Sequence, residues 1–361
     1  RDGLVTGVQT CALPIFTSLF EFFTMNKVFF FLLWATIIGC TTKEPESLQH
    51  NIIPYPFSLQ QGSGFFNLKP NTPIVTIDET RGNAEYLASV LQKGFRKEIV
   101  IKSKGKGIVL TKNNQLEELY GKEGYILRIS PKGILIEGAT NAGLFYGIQS
   151  LMQMLPSNFE SNSDTFKKIP LPCMEITDFP RFEWRAFLLD EARHFKGVEA
   201  VKDLLDEMAL LKMNTFHWHL TDDQGWRIEI KKYPLLTEKG SYRKDTQTST
   251  RSTSRRGEPH GGFYTQKEIQ DVIQYAMERH IQIIPEIEMP GHASAAIAAY
   301  PWLGVLGDTI EVPEVFGKLP DSFNVTDIRV IEFLQDVLME VFELFPGKIV
   351  HIGGDEVMFD T

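Results

Sequence analysis

Cysteine is scarce in this sequence, with three residues in 361, at positions 11, 40 and 173. That set excludes a disulfide framework and any paired-cysteine metal site. Positive charge is also in short supply: 37 Lys and Arg stand against 46 Asp and Glu, for a net charge of −9, and no basic stripe is present to track a nucleic-acid backbone. The one local cluster, Arg251, Arg255 and Arg256, is embedded in Ser and Thr and reads as a solvated loop. Long apolar runs are missing too. The run from Val28 to Gly39 has 12 residues, short of the roughly 18 that a membrane-spanning helix needs.

What is present describes a globular protein. Hydrophobic residues make up 43% and charged residues 23% of the chain, enough for a large core and two or three domains. Residues 1–24 read as translated sequencing-adapter sequence, so the reading starts at Met25. Residues 25–40 form a basic start, an apolar run and Ile37-Ile38-Gly39-Cys40. They fit a secretory signal whose end resembles a bacterial lipobox, which implies lipidation at Cys40. Residues 41–50 are polar and read as a tether.

Residues 51–155 carry short β-type runs, a hairpin pattern over Tyr125–Ser130 and Gly133–Gly138, and helical periodicity over Asn83–Phe95 and Asn141–Leu155. They predict a small α+β domain. Residues 156–182, with Pro156, Pro170, Pro172 and Pro180, read as a linker that contains the domain boundary. From 183 to 361 strand and helix patterns alternate. Strands are expected at Trp184–Leu189, Asn214–Leu220, Ile281–Ile287 and Lys348–Ile352, and helices at Val198–Leu211, Thr265–Arg279 and Asp327–Phe345. This alternation predicts a parallel sheet covered by helices. Polar clusters follow each strand, where a (β/α)8 barrel keeps its active site; an open doubly wound sheet would do the same, but no Gly-rich phosphate loop follows the first strand. Four strand–helix units in place of eight are expected to be a TIM barrel truncated about half-way.

The functional stretch is His351-Ile352-Gly353-Gly354-Asp355-Glu356-Val357, an apolar strand broken by two glycines just before adjacent acids. Read alone, it could equally be a helix N-cap followed by a first-turn acid. Three upstream blocks accompany it: Asp190-Glu191-Ala192-Arg193-His194-Phe195, the run from His217-Trp218-His219 through Asp222-Asp223-Gln224-Gly225-Trp226, and Pro285-Glu286-Ile287-Glu288-Met289-Pro290-Gly291-His292. Together they resemble the β-N-acetylhexosaminidases of glycoside hydrolase family 20, over about residues 50–361 and most strongly from Trp184.

The resemblance implies an exo-acting glycosidase that removes terminal N-acetyl-β-hexosamine residues from glycans by substrate-assisted, retaining catalysis. It implies Glu356 as general acid and base, and Asp355 as the group that holds the substrate's 2-acetamido substituent. Arg193 would grip sugar hydroxyls, and Asp222 and His292 would form a positioning network. Asp223, Glu288 and His194 are weaker carry-overs. Glu356 must begin the cycle protonated, a state that burial or a neighbouring acid favours. Neighbouring acids in extended backbone point apart unless the glycines relax the geometry. No cofactor and no metal are expected, and a lipid anchor would place the protein at a bacterial cell envelope. Trp184, Trp218, Trp226 and Trp302 are core by default, with Trp226 a possible sugar-stacking face. Two other readings stay open: an inactive fragment or carbohydrate-binding remnant, and a metal-dependent barrel hydrolase built on His217 and His219 with His292 or His351.

Overall fold

In the computed structural model of the chain, residues 52–161, 166–317 and 319–357 are described. The segments read as adapter (1–24), signal peptide (25–40, including Cys40) and tether (41–50) lie outside them.

The first layer is a seven-stranded sheet. Its strands are β1 (Ser58–Leu68), β2 (Ile74–Val75), β3 (Ile101–Lys102), β4 (Ile108–Lys112), β5 (Tyr125–Ser130), β6 (Gly133–Gly138) and β7 (Ile169–Asp178), in the order β1-β7-β5-β6-β4-β2-β3. Strict alternation in β5 and β6 buries Leu127, Ile129, Ile134 and Ile136 on one face. Helix α3 (Asn141–Met152) packs there, α1 (Arg81–Phe95) packs beside it over β2 and β3, and the short α2 (Gln115–Tyr120) lies between them in sequence. The Thr140 side chain caps α3 by accepting from the Ala142 N–H. A Cβ at Gly147 would lie 2.4 Å from Ile136, so glycine there sets how closely α3 sits on the sheet.

Strand β7 corrects the expectation that residues 156–182 are a linker. Ile169–Asp178 pairs antiparallel with β1 on one side and with β5 on the other. The prolines misled because proline cannot donate to a ladder. Pro170 and Pro172 fall in the half of β7 whose register is with β1 alone, since β5 pairs only from Met174 onward. Among the described residues, one side of the strand carries no ladder at that point. Cys173 is buried in this strand, and burial raises its thiol pKa.

A buried polar cluster joins this layer to the next. Lys212 Nζ lies 2.8 Å from Asp178 Oδ2 and from the Tyr125 hydroxyl, which in turn is 2.6 Å from Ser150 Oγ.

The second layer is a parallel sheet of β8 (Ala186–Asp190), β9 (Thr215–His219) and β14 (Gln282–Glu286), in spatial order β8-β9-β14. Helices α4 (Val198–Leu210), α6 (Gln266–Met277) and α8 (Ile328–Leu344) turn apolar faces to the core, through Val201, Leu205, Ile269, Val272, Val330, Phe333 and Val337. Two of their starts are set by side-chain caps. Thr265 and Glu268 form a reciprocal capping box on α6, and Asp327 accepts from the Arg329 N–H at the start of α8. Two short ribbons and two short helices lie in the loops: β10 (Thr221–Asp222) with β11 (Gly225–Trp226), β12 (Tyr242–Arg243) with β13 (His260–Gly261), and α5 (Leu235–Glu238) and α7 (Ser294–Ala299). The fourth expected strand is reduced to one parallel bridge, Glu286 to His351. It is held by His351 N–H to Pro285 O (2.9 Å), Ile287 N–H to His351 O (3.0 Å) and Met289 N–H to Ile352 O (3.2 Å).

Trp218 and Trp226 are buried as expected, and Trp302 is partly so. Trp184 departs from the core expectation: it is 56% exposed, with Phe187 and Leu188 also exposed on β8. Strand β8 is the edge of the described parallel sheet, so one side of it has no strand partner among the described residues.

Candidate active site

Parallel register stacks the polar ends of the strands in one row. Asp190 aligns with His219 and Glu286, and Glu286 with His351. An open cleft of about 620 Å³ lies over this row, lined by Asp190, Arg193, His217, His219, Glu288 and Asp355 among others.

Arg193 is held by three acceptors. Its Nη2 is 2.5 Å from Asp222 Oδ2, its Nη1 is 3.1 Å from Asp190 Oδ2, and its Nε donates to Gln224 Oε1 at 3.1 Å. An ion pair with Asp190 is therefore present, and the guanidinium still borders the cleft. The neighbouring acid Glu191 is engaged elsewhere, accepting from the Tyr264 hydroxyl at 2.8 Å. Burial acts to raise the Asp222 pKa, but His219, His292 and Arg193 outweigh it and hold this carboxyl well below the usual range.

His292 is the junction of the site. Its Nδ1 is 3.1 Å from both Asp222 Oδ1 and Asp223 Oδ2, and these bonds push its pKa up to about 11, so the ring is an imidazolium at neutral pH. Asp223 is itself fixed by Ser294, whose Oγ donates at 2.6 Å and whose N–H donates at 3.1 Å. The opposite edge of the imidazolium faces the acid pair: Nε2 lies 3.6 Å from Asp355 Oδ2 and 3.7 Å from Glu356 Oε2.

Asp355 and Glu356 do not point apart. One carboxylate oxygen from each and a ring nitrogen of His292 lie within 4.8 Å of one another. The backbone explains the difference from extended geometry. Gly353 has φ +65°, Gly354 φ +97° and Glu356 φ +51°, all left-handed, and Glu356 bears that strain without being glycine. A first helical turn does not use such a φ, which removes the helix-cap reading at Glu356. Both side chains are open to solvent, Asp355 at 64% and Glu356 at 43%, so the burial expected of Glu356 is not what the described residues provide.

Glu288 sits under the pair. A Cβ at Gly353 would lie 1.6 Å from Glu288 Oε2, so only glycine lets the chain pass over this carboxyl. Burial, Asp355 and Glu286 raise the Glu288 pKa. The folded state then keeps a proton that the unfolded chain has released, and stability falls as pH climbs from about 5, the top of the ordinary Glu range, toward the raised value. Glu288→Gln keeps the shape without the titration. It is expected to flatten the decline of Tm over that window, and an unchanged slope in thermal unfolding across a pH series would refute this.

Glu286 was not singled out by the sequence, although it belongs to the same block as Glu288. Its carboxylate is 2.7 Å from His217 Nε2 and 2.9 Å from His351 Nδ1. Burial acts to raise its pKa, but His217, His219 and His351 pull it down. His217, Glu286 and His351 are one of the described groups whose donors could hold a divalent cation; in this arrangement both rings already face a Glu286 oxygen. Gln224 was missed as well, and its place inside Asp222-Asp223-Gln224 was the available signal. Among the weaker carry-overs, His194 stacks on Phe316 at 6.1 Å, and burial lowers its pKa. Trp226 is closed to ligands: it is buried, and its indole donates to Ile228 O at 2.8 Å.

Residues 182–361 match Glycosyl hydrolase family 20, catalytic domain, and residues 49–179 match Glycosyl hydrolase family 20, domain 2. A beta-hexosaminidase of Porphyromonas gingivalis is 42% identical over 311 residues, covering 85% of this chain and 39% of the relative. One from Vibrio furnissii is 41% identical over 251 residues, covering 69% and 39%. This chain therefore spans about 39% of the length of either relative. The solved structure of Streptomyces plicatus N-acetyl-beta-hexosaminidase in complex with Thio-NAglucal aligns with a TM-score of 0.76 at 35% identity, covering 85% of this chain and 59% of that one. The beta-N-acetylhexosaminidase of Bacteroides fragilis aligns at 0.69 and 34%, covering 85% and 57%. The fold is accordingly α/β of the TIM-barrel type with a preceding domain, and with matches over both parts the chain belongs to glycosyl hydrolase family 20.

Proposed function

We propose that these residues serve an exo-acting β-N-acetylhexosaminidase that works by substrate-assisted retention. The observation that carries the reading is the convergence of Asp355 and Glu356 on His292 within 4.8 Å. A conventional pair of glycosidase carboxyls flanks the scissile bond at roughly 5 to 9.5 Å. Two acids this close stand on one side of the bond instead, which leaves the opposite face to a nucleophile that the substrate brings. Glu356 protonates the glycosidic oxygen as the C1–O bond breaks and the 2-acetamido oxygen bonds to C1. Asp355 accepts from the acetamido N–H and balances the positive charge of the resulting oxazolinium. Water then attacks C1, passing its proton to Glu356, and the acetamido oxygen leaves with net retention.

Around this pair the roles follow from contacts. The His292 imidazolium places a donor between the two acids, and Asp222 and Asp223 keep it charged and oriented. Arg193, with its fork at the cleft, suits two adjacent sugar hydroxyls. The same reading takes residues 183–361 as the first four strand–helix units of an eight-stranded barrel, and Cys40 as a lipid anchor at a bacterial cell envelope. The lipobox-like residues before Cys40 support the latter.

The test is turnover by the full-length gene product of an aryl 2-acetamido-2-deoxy-β-D-glucopyranoside and of the matching β-D-glucoside. The built-in acetamido nucleophile carries a large effective molarity, so the acetamido substrate is expected to react at least about 1,000-fold faster. Comparable rates would remove the substrate-assisted mechanism.

A further inference from the structure

Arg243 is a buried arginine behind Arg193, and nothing in its polar sequence surroundings, Ser241-Tyr242-Arg243-Lys244, marks it out. It is 1% exposed. Its donors meet uncharged acceptors: Nη2 to Arg193 O at 2.6 Å, Nη1 to Gln224 O at 2.9 Å and Nε to Thr246 Oγ1 at 2.8 Å. The side chains of the two residues whose carbonyls it holds bond to each other, Arg193 Nε to Gln224 Oε1. Arg243 thus closes a ring of hydrogen bonds whose other members are Arg193 and Gln224. The adjoining strand β13 adds a further tie, because His260 Nε2 accepts from the Phe195 N–H at 3.0 Å, two residues beyond Arg193.

Burying a cation on carbonyl acceptors costs solvation that an apolar residue would not. A planar fork reaching two carbonyls at a fixed separation supplies geometry that neither methionine nor lysine can. We propose that Arg243 is a positioning residue for substrate recognition, fixing the main chains of Arg193 and Gln224 so that the Arg193 guanidinium meets the hydroxyls of the terminal sugar. This rests on the reading of Arg193 as the group that grips that sugar.

The test is steady-state kinetics of the full-length gene product with an aryl N-acetyl-β-glucosaminide, for Arg193→Met, Arg243→Met, Arg243→Lys and the Arg193→Met/Arg243→Met double variant. Loss of ground-state and transition-state binding alike raises KM and leaves kcat nearly unchanged. Arg243→Met and Arg243→Lys are expected to raise KM by about tenfold, with kcat within about threefold of the parent. The double variant is expected to match Arg193→Met alone, because two groups acting through one contact are not additive. Should Arg243→Met fail to fold, Arg243→Lys carries the same test, and Thr246→Val, which removes only the Nε acceptor, carries it with a smaller rise in KM. If Arg193→Met leaves KM unchanged, the sugar-grip reading falls and this inference with it. If Arg193→Met raises KM while the Arg243 and Thr246 variants do not, the grip stands and the positioning role is overturned. Additive losses, or a fall in kcat at constant KM together with a lower Tm, overturn it as well.

Discussion

Glutamine in place of Glu356 is expected to lower kcat on an unactivated glycan by about 1,000-fold or more, since a positioned general acid–base contributes about 10² to 10⁴. The substitution is nearly isosteric and can keep a polar contact with His292, which lies 3.7 Å from the carboxylate. What it removes is the exchangeable proton: an amide neither protonates the departing oxygen nor accepts the proton of the incoming water. The loss should depend on the leaving group. A dinitrophenyl glycoside departs without acid help, so its first step should be spared while the second still lacks a base. Measured with a series of aryl leaving groups, kcat/KM of Glu356→Gln should therefore rise steeply as the leaving group improves. Activity within tenfold of the parent on unactivated substrate would end the assignment.

Asp355→Asn is the second large effect, and its signature is different. Preorganised charge at the point where charge develops in the transition state is worth about 10² to 10³ in kcat. Asparagine can still accept from the acetamido N–H through its Oδ1, but as a neutral amide it cannot balance the oxazolinium. The loss, about 100-fold or more in kcat, is expected to be similar for good and poor leaving groups, because the charge forms whichever group departs. It should also grow when the acetamido is replaced by a less nucleophilic trifluoroacetamido. A leaving-group dependence like that of Glu356→Gln would show that the two acids share one task.

The two variants also separate local from global damage. Asp355 and Glu356 are exposed, and the bonds that fix His292 through its Nδ1 come from Asp222 and Asp223. Neither substitution touches the core, so Tm should move little. Arg193 and Asp222 are more interdependent: the pair is 2.5 Å apart with Asp222 fully buried, and removing either strips the other of its shortest charge partner, leaving Arg193 to Asp190 and Asp222 to His292.

Local features were legible in the chain because they depend on neighbours in sequence. Helices α4, α6 and α8 follow from apolar periodicity, and Thr265, Glu268 and Asp327 mark two of their starts. The β5–β6 hairpin follows from alternation. Strand β7 was not legible, because proline argues against a strand unless one knows which side of it is unpaired. Strand β1, with the stretch Gln60 to Gly64 rich in glycine and polar residues, hides for a similar reason: it is an edge strand held by β7, with a register shift between Gln61 and Phe65.

The sequence by itself determined the chemistry on offer: adjacent acids after a glycine pair, an arginine after the first barrel-type strand, and a histidine following Pro290-Gly291. Residue types and their order along the chain carry that information directly. Only the tertiary structure decided how those groups meet. Left-handed backbone at Gly353, Gly354 and Glu356 turns two neighbouring carboxylates to one side, parallel register brings Glu286 between His217 and His351, and Arg243 reaches back 50 residues to the Arg193 carbonyl. Each depends on contacts between segments far apart in the chain, and pattern along a single strand of sequence holds no record of which distant carbonyl a buried donor will find.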